Sequence, residues 1–152
     1  MAAQEHVALA RSLVELHNHR QSDPAWLDKM LAAFAADCEV VDAAAGTTFH
    51  GLEGYKRFMR FITESFPEMR IEVTNAFATE DRVVLEGMFR GITTGSHNLP
   101  TGALKASGRP GEVRVCHVLQ FKHGKITSVH SYYDLTTLLE QLDLESATAQ
   151  AT

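Results

Sequence analysis

The spacing of apolar residues changes along the chain, from mostly helical repeats before Pro67 to strand-like alternation after it. Over residues 4–19, Leu9, Leu13 and Leu16 form one stripe and Val7, Ala10, Val14 and His17 an adjacent one. That pattern predicts an amphipathic helix, ended by the polar cluster at 18–22. Asp23-Pro24 predicts a second helix, with aspartate as N-cap and proline at the first helical position. Its buried face is Leu27, Met30, Leu31 and Phe34, with Trp26 beside them to cover the core or line a cavity mouth. Residues 38–42 and 47–49 read as a short β-pair around a turn at Ala45-Gly46. His50-Gly51 opens a third helix, whose apolar face runs through Leu52, Tyr55, Met59, Ile62 and Phe66 until Pro67 stops it.

Two longer strands follow, 69–79 and 82–91, joined around Glu80-Asp81. Several turn lengths fit there, so the face on which Glu86 lies stays open. Residues 93–111 are rich in Gly, Ser, Thr and Pro and read as a long loop, with the start of a strand near Lys105. A loop of that size in a small domain commonly serves as a lid or pocket rim. Leu135, Leu138, Leu139 and Leu142 predict a short last helix, and 145–152 a frayed tail.

Between loop and last helix lies the stretch VRVCHVLQFKHGKITSVHSYYD, residues 113–134. Two β-type runs flank His123-Gly124, a pair suited to a tight hairpin turn. Pairing Lys122 with Lys125 sets Phe121 opposite Ile126. Steps of two then set Leu119 opposite Ser128, His117 opposite His130, Val115 opposite Tyr132 and Val113 opposite Asp134. In this register His117, His130, Tyr132 and Asp134 share one face among apolar neighbours.

The chain shows no βαβ alternation, so a doubly wound parallel sheet is not expected. The order predicts one α+β domain, with helices packed into the concave side of a curved, mainly antiparallel sheet and a pocket between the layers. At 152 residues, 45% hydrophobic and 22% charged, a single domain over 1–152 with a real core is the simplest reading. A net charge of −5 and no basic run argue against nucleic-acid binding. No apolar run reaches the ~18 residues of a membrane span, and the first residues do not resemble a secretory signal. Cys38 and Cys116 are too few for a disulfide framework and read as buried thiols in a cytoplasmic protein.

FHGLEGYKRFMRFITESFPEMRIEV, EDRVVLEG, GITTG, LPTG and LQFKHGKITSVHSYYDLTTLLEQL follow one another at fitting distances. In that order, over roughly residues 5–142, the chain resembles the SnoaL-like polyketide cyclases of the NTF2-like (cystatin-like) superfamily. The resemblance implies a cone of three N-terminal helices on a curved sheet, a homodimer, and a cofactor-free enzyme acting on a small molecule. In such an enzyme a carboxylate near the end of the last strand is acid and base in an intramolecular aldol ring closure, and that aspartate matches Asp134. The sequence departs from the family's pattern: His130 stands where a tryptophan is usual, Thr93 replaces a histidine, and an arginine-phenylalanine pair is Gln120-Phe121. DCEVVDAAAGTTFHG and RVCHVLQF also resemble two segments of ketosteroid isomerases, which puts Asp42 at the base position and His117 at a donor position. That match implies an isomerase or hydratase as the alternative.

Carbon-acid chemistry needs a base for the α-proton and donors for the enolate oxygen, and an apolar pocket that raises a carboxylate's pKa helps. Asp134, His117, His130 and Asp42 are therefore the catalytic candidates, with Tyr132, His50, Trp26 and Leu119 lining the substrate pocket. Each has a plainer reading. Asp134 precedes Leu135-Thr136-Thr137-Leu138 and fits an N-cap; Asp42 fits a solvated strand end; His50 fits a cap of the third helix; the paired histidines fit a satisfied core. A metal site of His117, His130 and Asp134 has suitable ligand types, but the expectation is no metal. A binding domain without catalysis is the reading from a different class.

Overall fold

The structure, a computed structural model, describes residues 2–92, 97–99, 102–104 and 110–141. It begins with helix α1 (Ala3–Asn18), a 3-10 turn (Arg20–Ser22) and the short helix α2 (Trp26–Leu31). Strands β1 (Phe34–Asp42) and β2 (Thr47–His50) precede helix α3 (Gly51–Ser65). After it come β3 (Arg70–Ala78), β4 (Arg82–Ile92), β5 (His97–Leu99), β6 (Gly102–Leu104), β7 (Pro110–Lys122), β8 (Lys125–Tyr133) and helix α4 (Leu135–Gln141). Six strands form one sheet in the order β2-β1-β8-β7-β4-β3, in which only the β1–β8 pair is parallel; β5 and β6 pair separately. An α+β architecture with helices on one face of a largely antiparallel sheet is the expected one.

Local corrections follow the chain. Phe34 is the first residue of β1 rather than the last apolar position of α2, and it is 6% exposed. Asp23 is not the helix cap; its Oδ1 accepts from the Ala25 amide at 3.0 Å, in the turn before α2. Strand β7 starts at Pro110, inside the expected loop. Most of that loop, its lid reading and the tail at 145–152 lie outside the described residues.

The polar cluster that ends α1 ties it to the sheet and to the end of α3. Asn18 clamps β3, its Nδ2 donating to the Ile71 carbonyl at 2.7 Å and its Oδ1 accepting from the Ile71 amide at 2.9 Å. Arg20 is 9% exposed and donates to the carbonyls of His17, Phe66, Pro67 and Met69. Carbonyl oxygens thus surround this guanidinium at the point where Pro67 ends α3, satisfying donors that burial would otherwise leave unpaired.

Among the described residues three register shifts interrupt the sheet: one in the parallel β1–β8 pair between Phe34 and Glu39, and two bulges in antiparallel pairs, both at threonines. In β3, Val73 pairs with Gly87 and Asn75 with Glu86, leaving Thr74 extra. In β8, Ile126 pairs with Phe121 and Ser128 with Gln120, leaving Thr127 extra. At each, the threonine hydroxyl donates to the carbonyl across the strand: Thr74 Oγ1 to Glu86 at 3.2 Å, Thr127 Oγ1 to Gln120 at 3.3 Å. A bulge bends its strand and increases local twist. Opposite the first bulge, a Cβ on Gly87 would run into the Glu72 carbonyl, so the bend requires glycine there.

The second bulge overturns the expected hairpin register. His123 and Gly124 both have positive φ (53° and 76°), as a two-residue type I′ turn requires. The pairs Lys122–Lys125 and Phe121–Ile126 form as the sequence predicts. Beyond Thr127 every pair is shifted by one: His117 faces Ser131, Val118 faces His130, Cys116 faces Tyr132 and Val115 faces Tyr133. Because side chains alternate, that single residue exchanges the two faces of β8. Val129, Ser131 and Tyr133 turn inward with His117, while His130 and Tyr132 turn to the outer face of the sheet.

Candidate functional site

Between the helices and the inner sheet face lies a cavity of about 170 Å³. Its walls are mainly apolar, with Leu13, Met59, Phe66, Phe89, Val115 and Leu138 among them. Five lining residues carry polar atoms: His17, Tyr55, His117, Ser131 and Tyr133. They come from α1, α3, β7 and β8, so the site exists only once helices and sheet have packed.

His117 projects from the middle of β7, and burial alone lowers its pKa to about 4. His17, in the last turn of α1, is 3% exposed and is also lowered to about 4. Burial is the main cause, Arg20 and His117 add to it, and the hydrogen bond to Asn18 opposes it. Both imidazoles are therefore neutral at pH 7. His17 Nδ1 lies 3.3 Å from Asn18 Oδ1. Asn18 cannot be flipped without setting its NH₂ against the Ile71 amide and its oxygen against the Ile71 carbonyl. That oxygen only accepts, so His17 carries its proton on Nδ1, and Nε2 keeps a lone pair.

Asp42 ends β1, 4% exposed, facing inward beside Ser131. It does not line the cavity directly. Tyr133 does, and its hydroxyl donates to Asp42 Oδ2 at 2.9 Å, while the Ala45 amide donates to Oδ1 at 3.1 Å. Burial, together with the Asp42 charge and this hydrogen bond, pushes the Tyr133 phenol well above its ordinary pKa. The dyad is a neutral phenol at the cavity wall backed by a buried carboxylate. A proton arriving at the phenol oxygen can be matched by transfer of the phenol's own proton to Asp42.

Of the expected site residues, His117 and Leu119 line the cavity, and Asp42 reaches it through Tyr133. The others are placed elsewhere. Asp134 is exposed: its Oδ1 accepts from the Thr137 amide at 3.0 Å and its Oδ2 from the Thr137 hydroxyl at 2.7 Å. Those bonds hold its carboxyl below the usual range, the reverse of the rise expected in an apolar pocket. It caps α4. His130 and Tyr132, the latter 46% exposed, were displaced to the outer face by the Thr127 bulge. Trp26 packs against the core without lining the cavity, and His50 is an exposed residue at the N-terminal boundary of α3. His117, His130 and Asp134 do not converge, and among the described residues no group of three or more His, Cys, Asp and Glu is arranged to hold a metal ion. Nor, among those residues, is any helix long and apolar enough to cross a membrane.

Residues 9–142 match the family described as SnoaL-like polyketide cyclase. The chain belongs to that family. No curated protein sequence matches it. Solved structures show that this SnoaL-like chain has the ketosteroid isomerase/NTF2-like fold. AclR, a candidate hydroxylase from Streptomyces galilaeus, superposes with a TM-score of 0.75 at 19% identity, covering 94% of this chain and 98% of its own. A candidate polyketide cyclase from Xanthomonas campestris pv. campestris gives 0.71 at 23%, covering 92% and 98%. An epoxide hydrolase of the LEH-like type from M. tuberculosis gives 0.68 at 13%, covering 93% and 92%. One SnoaL-like cone thus resembles proteins described with different chemistries, and the site must be read from its own residues.

Sequence reasoning missed His17, Asn18, Tyr55, Ser131 and Tyr133. His17 belongs to a stripe of α1 with Val7, Ala10 and Val14, a usable signal for an inward-facing histidine. Ser131 and Tyr133 were hidden by the bulge.

Proposed function

We propose that this protein is a cofactor-independent acid-base enzyme acting on a small carbonyl-containing molecule, in a cyclase- or isomerase-type reaction that passes through an enolate. The observation that carries this reading is the buried Asp42 carboxylate linked to the cavity wall through Tyr133. In the proposed step the α C–H bond breaks and its electron pair moves into the enolate. The proton goes to Tyr133 Oη as the phenol proton passes to Asp42, and the neutral His117 donates a hydrogen bond to the enolate oxygen. Ring closure follows when the enolate carbon attacks a second carbonyl, whose oxygen recovers the proton from the dyad. Isomerisation follows when the proton returns to a different carbon.

Family membership supports the enzyme reading. The test is α-proton exchange of acetophenone in D₂O, followed by NMR. Wild-type protein is expected to accelerate exchange over buffer, and Asp42→Asn to lower the rate by about 10²–10⁴, the usual worth of a positioned base. Binding of acetophenone with no exchange above buffer sinks the reading. It would favour a ligand-binding domain, supported by the absence of any carboxylate among the described lining residues.

A homodimer that pairs outer sheet faces is part of the proposal. Val41, His130, Val118, Val84 and Phe77 stand in one cross-strand row on that face, and Phe77 is 53% exposed. We place the protein in the cytoplasm.

A further inference from the structure

The polar groups of the cavity are unequal in what they can offer a ligand, and that inequality constrains its chemistry. His17 has a fixed polarity. Its Nδ1–H is committed to Asn18 Oδ1, and that oxygen is itself held by the Ile71 amide. Nε2 is left as an acceptor. His117 lines the same cavity, near enough to His17 to influence its charge, and among the described residues no protein group hydrogen-bonds its ring. A neutral imidazole has one N–H, so His117 brings a donor.

Charge is the other constraint. Arg20 is the cation that bears on His17, and its guanidinium is already directed at the carbonyls of His17, Phe66, Pro67 and Met69. The Asp42 carboxylate is engaged by Tyr133 and Ala45. A carboxylate ligand would lie in an apolar cavity without a counter-ion, which is costly. As for size, a cavity of about 150 Å³ lined by apolar side chains admits benzene, so about 170 Å³ suits one substituted ring.

We propose that the cavity selects an uncharged single-ring molecule bearing a phenol or enol hydroxyl, which donates to His17 Nε2 and accepts from the His117 N–H. Asn18 is the positioning residue, since its oxygen decides which nitrogen of His17 is protonated. This deepens the functional reading above and rests on it only in taking the cavity as the working site. A hydroxyl is the smallest group that both donates and accepts, whereas a carbonyl would leave the His17 lone pair unpaired and an ether would leave it facing a methyl group. An enolisable carbonyl compound presents that hydroxyl in its enol form, which connects the preference to the proposed chemistry.

Two measurements test the proposal without turnover. The first is long-range ¹⁵N–¹H correlation of ¹⁵N-histidine-labelled protein at pH 7, which should show His17 as the neutral Nδ1–H tautomer. An Nε2–H tautomer or an imidazolium at His17 overturns the proposal. The second compares p-cresol, 4-methylanisole and 4-methylbenzoate by calorimetry. p-Cresol should bind at least tenfold more tightly than the ether, because the ether leaves a buried acceptor unpaired, and 4-methylbenzoate should bind weakest. His17→Leu should bring the cresol-to-ether ratio close to one. No binding of p-cresol, equal affinity for the ether, or tightest binding of the carboxylate each overturns it. Failure is distinguishable from failure of the enzyme reading. A ligand-binding domain would keep the tautomer and the hydroxyl preference and lose α-proton exchange. An enzyme with a differently polarised cavity would do the opposite.

Discussion

His117 and His130 sit on adjacent, hydrogen-bonded strands, yet they occupy different chemical worlds. His117 looks into the cavity and is held neutral by burial. His130 lies on the opposite face of the sheet, its ring centroid 6.5 Å from that of Tyr132. What separates them is one residue of register. Thr127 is the residue that β7 does not match, and its hydroxyl donates to the Gln120 carbonyl. The inner face therefore receives Val129, Ser131 and Tyr133, and the outer face receives Ser128, His130 and Tyr132.

Deleting Thr127 should break this comparison most severely. A regular ladder would carry His130 and Tyr132 inward and Tyr133 outward, leaving the Asp42 carboxylate buried without its phenol partner. Losing a hydrogen bond to a buried charge costs roughly 1.5–3 kcal/mol, and burying His130 and Ser128 in place of apolar contacts adds to it. The expected outcome is a large fall in the urea midpoint or failure to fold. A deletion variant with an unchanged midpoint would show that the bulge does not set the two faces.

Acid should act next on the histidines of the inner face. For a group whose folded pKa is depressed below its unfolded value near 6.5, the unfolded state binds more protons as pH falls. Stability is then complete above about 6.5 and is lost progressively down to about 4. Each buried ring accounts for on the order of 3 kcal/mol over that window, at 1.36 kcal/mol per unit. His117→Phe should remove about half of the dependence of urea midpoint on pH between about 6.5 and 4, the share of His17 remaining. A slope in His117→Phe equal to that of the wild type would show that burial in the cavity does not hold this ring neutral.

Much of the fold was legible because it rests on periodicity. The α1 stripe, the α3 face that ends at Pro67, and the His123-Gly124 turn with Lys122 opposite Lys125 all follow from side-chain spacing and backbone permission. The site was less legible, for two physical reasons. A bulge at a threonine has no distinctive sequence pattern, because threonine is a normal strand residue, and the error it causes inverts every position after it. The polar residues Asn18 and Arg20 read as a helix terminator; their long-range role, clamping β3 and the end of α3, is set by which carbonyls tertiary packing brings to them. The face of His117 is legible because β7 carries no extra residue in this hairpin, whereas Asp42 is legible only through the resemblance to ketosteroid isomerases.

The outer face offers the next test. If two copies pair through the row containing Val41, His130, Val118, Val84 and Phe77, Val118→Asp buries a charge at the centre of that contact. Light scattering should give a dimer for the wild type and a monomer for the variant, a loss of about 100-fold or more in dimer affinity. A monomeric wild type would refute the dimer and leave His130 as a surface residue.

The smallest effect belongs to the residue that sequence resemblance singled out. Asp134 accepts from the Thr137 amide and hydroxyl at the start of α4, the helix that brings Leu138 to the cavity wall. Asp134→Ala should lower Tm by a few degrees, as loss of an N-cap does, and Asp134→Asn should nearly restore it, since asparagine caps equally well. Neither change removes the buried dyad, so α-proton exchange in the Asn variant should match wild type. A tenfold loss of exchange in Asp134→Asn at unchanged Tm would return the acid-base role to the rim and separate Asp42 and Tyr133 from the chemistry. The asparagine variant is the sharper of the two because it changes acidity while preserving the cap, and only acidity distinguishes a catalytic carboxylate from a structural one.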